Sequence, residues 1–202
     1  MKAFTCPEQD AIEHLLKTGY RSAAQALSVL VGQEVSFEIL YFMISQWNTP
    51  SIVYYPKGEA TLLLTDIMGE VGGCSYLILS APECAVLQAA CWPSASDAPP
   101  SLEMGEGILK EVDNILSAAM ITELSQALDL QIYGGVPQLF VQSAAAMKKE
   151  IRQELSPVAG SCHLLVNARF LFKDAPELQP QFLWKLSPEF LQHLPAYLPS
   201  VL

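Results

Sequence analysis

The clearest pattern of hydrophobic and polar positions lies in the middle of the chain, over residues 104–128. This stretch contains no Pro, and its two glycines stand near its start, while good helix formers dominate the remainder. Apolar residues recur there at spacings of three and four, which predicts a long helix with one buried face. The residues predicted on that face are Ile108, Leu109, Val112, Ile115, Leu116 and Ala119.

Polar residues of this predicted helix form a second stripe. Glu111 and Asn114 lie beside each other on it, because residues three apart are neighbours on a helix surface. Ala118 follows on the same stripe. The helix would therefore present a carboxylate, a carboxamide and a small residue on a surface that a partner could approach closely.

The rest of the chain alternates predicted helices and strands. Hydrophobic spacing predicts a long first helix over residues 7–30, with a break near Gly19 and an end at Gly32. The other predicted helices span residues 83–90, 144–155 and 188–197. The predicted strands span residues 35–42, 51–55, 60–65, 75–79, 130–133, 138–141, 163–172 and 181–186. This interleaving favours the α/β class, with helices packed on a mixed sheet.

The two halves of the chain resemble each other weakly. Leu-Ser closes an Ala-rich predicted helix at residues 27–28 and again at 124–125, an offset of 97 residues. The same offset superposes the first long helix on the central one and the strand after each. We therefore predict a single domain over residues 1–202, built from halves at about 1–95 and 96–202 around an approximate two-fold axis. The alternative, at this point, is two unrelated helices.

Composition narrows the class of protein. Hydrophobic residues make up 51% and charged residues 16%, so a packed core is feasible. The net charge of −10 argues against a nucleic-acid partner and against an anionic membrane surface. Neither a secretory leader nor an apolar run of membrane-spanning length is visible, so a cytoplasmic protein is expected. Five cysteines without paired spacing are expected to be free thiols.

Residues 108–130, followed by Val136-Pro137, resemble the CheC/CheX/FliY family of chemotaxis phosphatases. The helix of that family carries Asp or Ser, then Glu four residues on, then Asn three further, and a Pro with 22 residues between it and the Asn. Glu111, Asn114 and Pro137 keep those steps here. Residues 66–79 are similar to the central strand pair of CheC, and residues 82–91 to the helix after it.

Two positions in the matching helix depart from the family pattern. Gly107 stands where the family has Asp or Ser, and Asp113 stands where CheC is expected to have Gly. In the first half, the offset of 97 places His14 and Lys17 at the positions of Glu111 and Asn114, with Asp10 at the Asp/Ser position and Leu40 at that of Pro137. The resemblance therefore implies a CheC-like protein with one site instead of two.

The resemblance implies a function and a division of labour. The expected substrate is the aspartyl phosphate of a CheY-type response regulator, and the reaction is its hydrolysis. Asn114 would orient the attacking water, and Glu111 would pair with the active-site Lys of the regulator, while Pro137 and Ala118 would support the site. Mg²⁺ would belong to the regulator, and no metal or cofactor is expected on this chain, because its His and Cys residues show no zinc spacing.

An adaptor function is the alternative. Gly107 and the altered first half favour a non-catalytic module of the same fold, which would bind a CheD-like protein, a flagellar-switch component or its own copy. A metabolic enzyme has little support, because the sequence contains no phosphate-binding loop, dinucleotide fingerprint, nucleophile elbow or zinc-protease motif.

Overall fold

The computed structural model describes residues 4–45, 57–92, 100–154, 162–173 and 177–197. Its helices are α1 (Cys6–Val31), α2 (Ala81–Cys91), α3 (Leu102–Leu128), α4 (Ala144–Glu154) and α5 (Phe190–Tyr197). Its strands are β1 (Val35–Ser45), β2 (Glu59–Gly69), β3 (Gly73–Ser80), β4 (Ile132–Gly134), β5 (Gln138–Ser143), β6 (Cys162–Phe172) and β7 (Gln181–Leu186). The predicted strand over residues 51–55 lies outside the described residues.

Local sequence signals explain where the two long helices begin and end. The hydroxyl of Ser101, the N-cap residue, accepts a hydrogen bond from the Met104 amide at 3.3 Å and so satisfies one free amide of the first turn of α3. Gly32 ends α1 in the left-handed conformation, as its sequence position predicts. Asp129 ends α3 in the same conformation, with φ of 51°. The predicted break near Gly19 is wrong, because α1 runs through it without interruption.

The described strands form one antiparallel sheet in the order β1-β6-β7-β3-β2-β4, with β5 also paired to β2. The predicted α/β class is confirmed, as is the packing of two long helices on one face of the sheet. The described strand pairs are all antiparallel, whereas a mixed sheet was predicted. These helices approach closely at Gly19, where an added Cβ would lie 2.3 Å from the sulfur of Met120. The largest buried cluster lies between the helices and the sheet.

Corresponding elements recur at the predicted offset. Helices α1 and α3 end 97 residues apart, and both ends carry a left-handed cap. Strand β1 occupies residues 35–45, and β4 with β5 occupies most of residues 132–143, which is the same offset. Each of these strands pairs with a strand of the other half: β1 with β6, and β4 and β5 with β2. The sheet therefore contains interleaved strands from both halves.

The buried face of α3 differs in part from its prediction. Leu109, Val112 and Leu116 are buried as expected, whereas Ile108, Ile115 and Ala119 are half-buried. Two polar residues that the pattern left off this face, Asp113 and Ser117, are buried as well. The further buried positions of the helix are Gly105, Met120, Ile121, Leu124 and Leu128. The contact stripe is thus rotated toward the side that carries Asp113.

Candidate functional site

Glu111 and Asn114 lie one turn apart near the middle of α3, and both are exposed. Their neighbours Val112 and Asp113 are buried, so the turn is anchored on one side and open on the other. The backbone of this turn is held further by Ser117, whose hydroxyl donates to the carbonyl of Asn114 at 3.3 Å. An acid and an amide therefore stand together on a fixed, accessible helical surface.

The two side chains line a groove between α3 and the sheet edge. The α3 wall is formed by Gly107, Lys110, Glu111 and Asn114, and the opposite wall by Met68 and residues 133–137. The groove has a volume of about 670 Å³. Pro137 is buried in the second wall, and Ala118 is exposed one turn beyond Asn114 and does not line the groove. Three of the four predicted site residues thus share one cleft, and their roles stay a prediction.

Exposed apolar side chains surround this groove. Met68 and Tyr133 are cross-strand partners on β2 and β4, and they are 39% and 60% exposed. Val136, in the turn before β5, is 85% exposed. Apolar side chains clustered in this way, beside polar ones, are typical of surfaces that contact another protein. Sequence reasoning missed them, because β4 has only three residues and shows no period.

A buried carboxylate lies directly behind the exposed pair. Asp113 is 2% exposed, and one of its carboxylate oxygens accepts a hydrogen bond from the hydroxyl of Thr65 on β2 at 2.7 Å. Burial raises the pKa of Asp113 from 3.8 to about 6, and the hydrogen bond from Thr65 opposes part of that rise. In the sequence, the only indication that position 113 is unusual was that Asp113 replaces the Gly expected before Asn114.

The first half contains a groove at the corresponding place, with different chemistry. Between α1 and β1 lies a cleft of about 500 Å³ whose lining includes Lys17, Arg21 and Glu38. Lys17 occupies the position that matches Asn114, and it pairs with Glu13 at 2.6 Å. His14, which matches Glu111, is exposed. The acid and amide of α3 therefore have no counterpart on α1.

Other reactive side chains of the described residues do not form a second centre. No three His, Cys, Asp or Glu side chains of the described ranges lie together as metal ligands would. The five cysteines are free, and Cys74, Cys84 and Cys162 are buried. His163 is fully buried, and burial, with a smaller effect of Lys185, lowers its pKa. None of the helices that the structure describes is long and apolar enough to cross a membrane bilayer.

Two long helices packed on one antiparallel sheet place this chain in a known fold class: it has the CheC/CheX/FliY fold. Thermotoga maritima FliY matches it over 100% of both chains, with a TM-score of 0.76 and 15% sequence identity. CheX from Desulfovibrio desulfuricans matches over 86% of this chain and 97% of its own, with a TM-score of 0.52 and 13% identity. No family model and no curated protein matches the sequence.

Flagellar-switch proteins are similar as well. A chain in the crystal structure of the FliG–FliM complex from H. pylori matches 94% of this chain and 100% of its own, with a TM-score of 0.63 and 5% identity. At such identities the similarity establishes the fold and leaves the chemistry to the residues of the groove.

Proposed function

We propose that this chain is a CheC-like phosphatase that hydrolyses the aspartyl phosphate of a CheY-type receiver domain at the groove on α3. The observation that supports it is the exposure of Glu111 and Asn114 on one turn of an anchored helix, beside an apolar rim. Such a surface can enter the phosphorylated pocket of another protein without rearrangement of this chain.

The proposed reaction needs positioning and little covalent chemistry. Water attacks the phosphorus, and the bond between phosphorus and the Asp carboxylate oxygen breaks. The products are the free Asp carboxylate and inorganic phosphate, which retains the two protons of the water. The carbonyl oxygen of the Asn114 amide would accept a hydrogen bond from the attacking water and hold it in line. Glu111 would form an ion pair with the Lys of the receiver and so set the depth of docking. Mg²⁺ is expected in the receiver.

Removal of the amide tests this proposal. The assay follows the loss of phosphate from a receiver domain that has been phosphorylated with a small-molecule phosphodonor. Asn114→Ala should reduce the acceleration of this loss by about 100-fold, because it removes the group that positions the attacking water. Gln126→Ala is the matched control, because Gln126 is an exposed amide three turns further along α3. Equal acceleration by wild type and Asn114→Ala would contradict the assignment.

Glu111 makes a separable prediction. Glu111→Gln keeps the shape of the side chain and removes its charge, so it should weaken binding of the receiver more than it slows the bound reaction. The dependence of the decay rate on chain concentration separates the two effects. A reduced maximal rate with unchanged half-saturation would instead assign Glu111 a role in the chemical step.

A non-catalytic adaptor is the second candidate. The helical Gly107 and the loss of the acid and amide from α1 favour it, as does the fold shared with a chain of the FliG–FliM complex. It predicts a stable complex with a chemotaxis or flagellar-switch partner and an unchanged lifetime of the phosphorylated receiver. A CheD-like protein and a second copy of this chain are the other partners to assay by co-purification and light scattering.

A further inference from the structure

The buried pair of Asp113 and Thr65 joins the two walls of the groove. Asp113 belongs to the same turn of α3 as Asn114, whereas Thr65 belongs to β2, which pairs with β4. Both residues are buried, at 2% and 1% exposure, and their hydrogen bond of 2.7 Å spans 48 residues of sequence. It is therefore a direct polar link between the turn that carries the amide and the sheet beside it.

Close packing extends this link to the opposite wall. A Cβ on Gly134, which lines the groove, would lie 3.0 Å from Ile121 of α3 and 3.5 Å from the Thr65 methyl carbon. The amide of the next residue, Gly135, donates to the carbonyl of Asp66, the neighbour of Thr65, at 2.8 Å. We therefore expect a substitution at Thr65 or Asp113 to change the packing of both walls of the groove.

Stability alone does not account for a carboxylate at this place. A buried ionised group costs free energy unless its partners compensate, and an apolar residue of similar volume would pack there at lower cost. Thr65 is the hydrogen-bond partner of Asp113. Groups retained against stability are common where a site must be held in one geometry.

We propose that the Thr65–Asp113 pair is a positioning device for Asn114, and that the charge on Asp113 sets how firmly the amide is held in the groove. This inference rests on the proposed function only for its consequence in catalysis. Ionised Asp113 accepts a strong, charge-assisted hydrogen bond from Thr65, and protonation weakens that bond. Asp113 is a positioning residue, since it does not reach the groove surface.

Within the described residues, the groups around Asp113 come from α1, from β2 and from α3 itself. On α1, the buried Tyr20 couples electrostatically to it, and burial raises the Tyr20 pKa, so that side chain stays neutral at neutral pH. Tyr20 accepts a hydrogen bond from the indole of Trp184 at 3.2 Å. From β2 the facing group is the uncharged Thr65, and on α3 itself the neighbouring charges, Lys110 and Glu111, lie at the groove surface. Among these groups, Asp113 is the one whose pKa is raised to about 6.

NMR of the whole chain tests the positioning independently of any activity. The side-chain amide signals of Asn114 should shift with pH at the same midpoint as the Asp113 carboxyl carbon. Thr65→Val should raise that midpoint, because the bond it removes lowers the Asp113 pKa. Asp113→Asn, which keeps an acceptor for Thr65 and cannot titrate, should abolish the shift. If the side-chain amide shifts of Asn114 do not change while Asp113 titrates, the proposal is overturned.

Kinetics adds a second readout once the wild-type chain has been shown to accelerate decay and Asn114→Ala has been shown to reduce that acceleration. Thr65→Val should lower the maximal rate about 3- to 10-fold and leave half-saturation by the receiver within about 2-fold, which is the signature of a misplaced catalytic group. The ratio of wild-type to Asp113→Asn rates should fall as pH drops through 6. Thr61→Val is the matched control, a buried Thr on the same strand away from the groove. Equal effects of the two valine variants, or a pH-independent ratio, would contradict the inference.

Discussion

At the residue scale, position 113 departs most from what pattern and family would predict. The hydrophobic spacing of α3 gives no reason to bury an acid, and the resemblance predicts Gly. The structure buries Asp113 against Thr65, directly behind the exposed Asn114. A single side chain thus connects the interior of the protein to its candidate site.

Burial of Asp113 predicts a pH-dependent stability. Its pKa of about 6 in the folded chain exceeds the value of 3.8 expected after unfolding, so the folded state binds more protons. The contribution of Asp113 to the free energy of unfolding is therefore fully present below pH 4. It is lost as the pH rises through 6, and the loss is about 3 kcal/mol at most. Urea unfolding of wild type and Asp113→Asn from pH 4 to 7.5 measures this, since the variant lacks this contribution. Parallel stability curves for the two proteins would contradict it.

At the element scale, the periodic segments of the sequence predicted most of the fold. Both long helices, the end of α1 at Gly32 and the strands at residues 138–141, 163–172 and 181–186 correspond to observed elements, because each carries a strong local signal. The antiparallel pairing of β1 with β6 was not predictable, because register between distant strands is set by packing.

The candidate site was predictable in part for the same reason. Glu111 and Asn114 lie on a helix, where spacing fixes adjacency, and their exposure follows from the pattern. The opposite wall is made by Met68 and the turn after β4, which are joined to α3 only through tertiary contacts. No local signal specifies such contacts, so Tyr133 and Val136 became visible only in the structure.

Two glycines near the groove make opposite predictions. Gly69 has φ of 115°, and an added Cβ would lie 2.1 Å from the carbonyl oxygen of Gln131, so Gly69→Ala should lower the free energy of unfolding by about 2–4 kcal/mol. Gly107 lies inside α3 with open space around it, so Gly107→Ala should raise that free energy by about 0.5–1 kcal/mol. Chemical denaturation measures both, and a neutral Gly69→Ala would refute the described β2–β4 contact.

At the scale of the whole molecule, the two long helices carry different surfaces. The grooves on α1 and α3 occupy matching places, yet one presents Lys17 and Arg21 and the other Glu111 and Asn114. The two long helices thus carry one candidate site, in the groove on α3. The groove on α1 has a different set of charged residues.

This asymmetry predicts that the first half is dispensable for the reaction. The double variant His14→Ala and Lys17→Ala should retain full acceleration of receiver dephosphorylation, because neither side chain reaches the α3 groove. Circular dichroism controls for folding, since both residues are exposed on α1. A loss of acceleration comparable to that of Asn114→Ala would mean that both halves contribute to one site.

The most direct test of the central claim is turnover. A phosphorylated CheY-type receiver domain is mixed with about one-twentieth as much of this chain, and the remaining aspartyl phosphate is followed over time. Because an enzyme is regenerated after each cycle, the decay rate should rise in proportion to the concentration of the wild-type chain. Addition of the Asn114→Ala variant should not raise the decay rate. A receiver that binds the chain stably and keeps its phosphoryl group at the uncatalysed rate would contradict the phosphatase assignment.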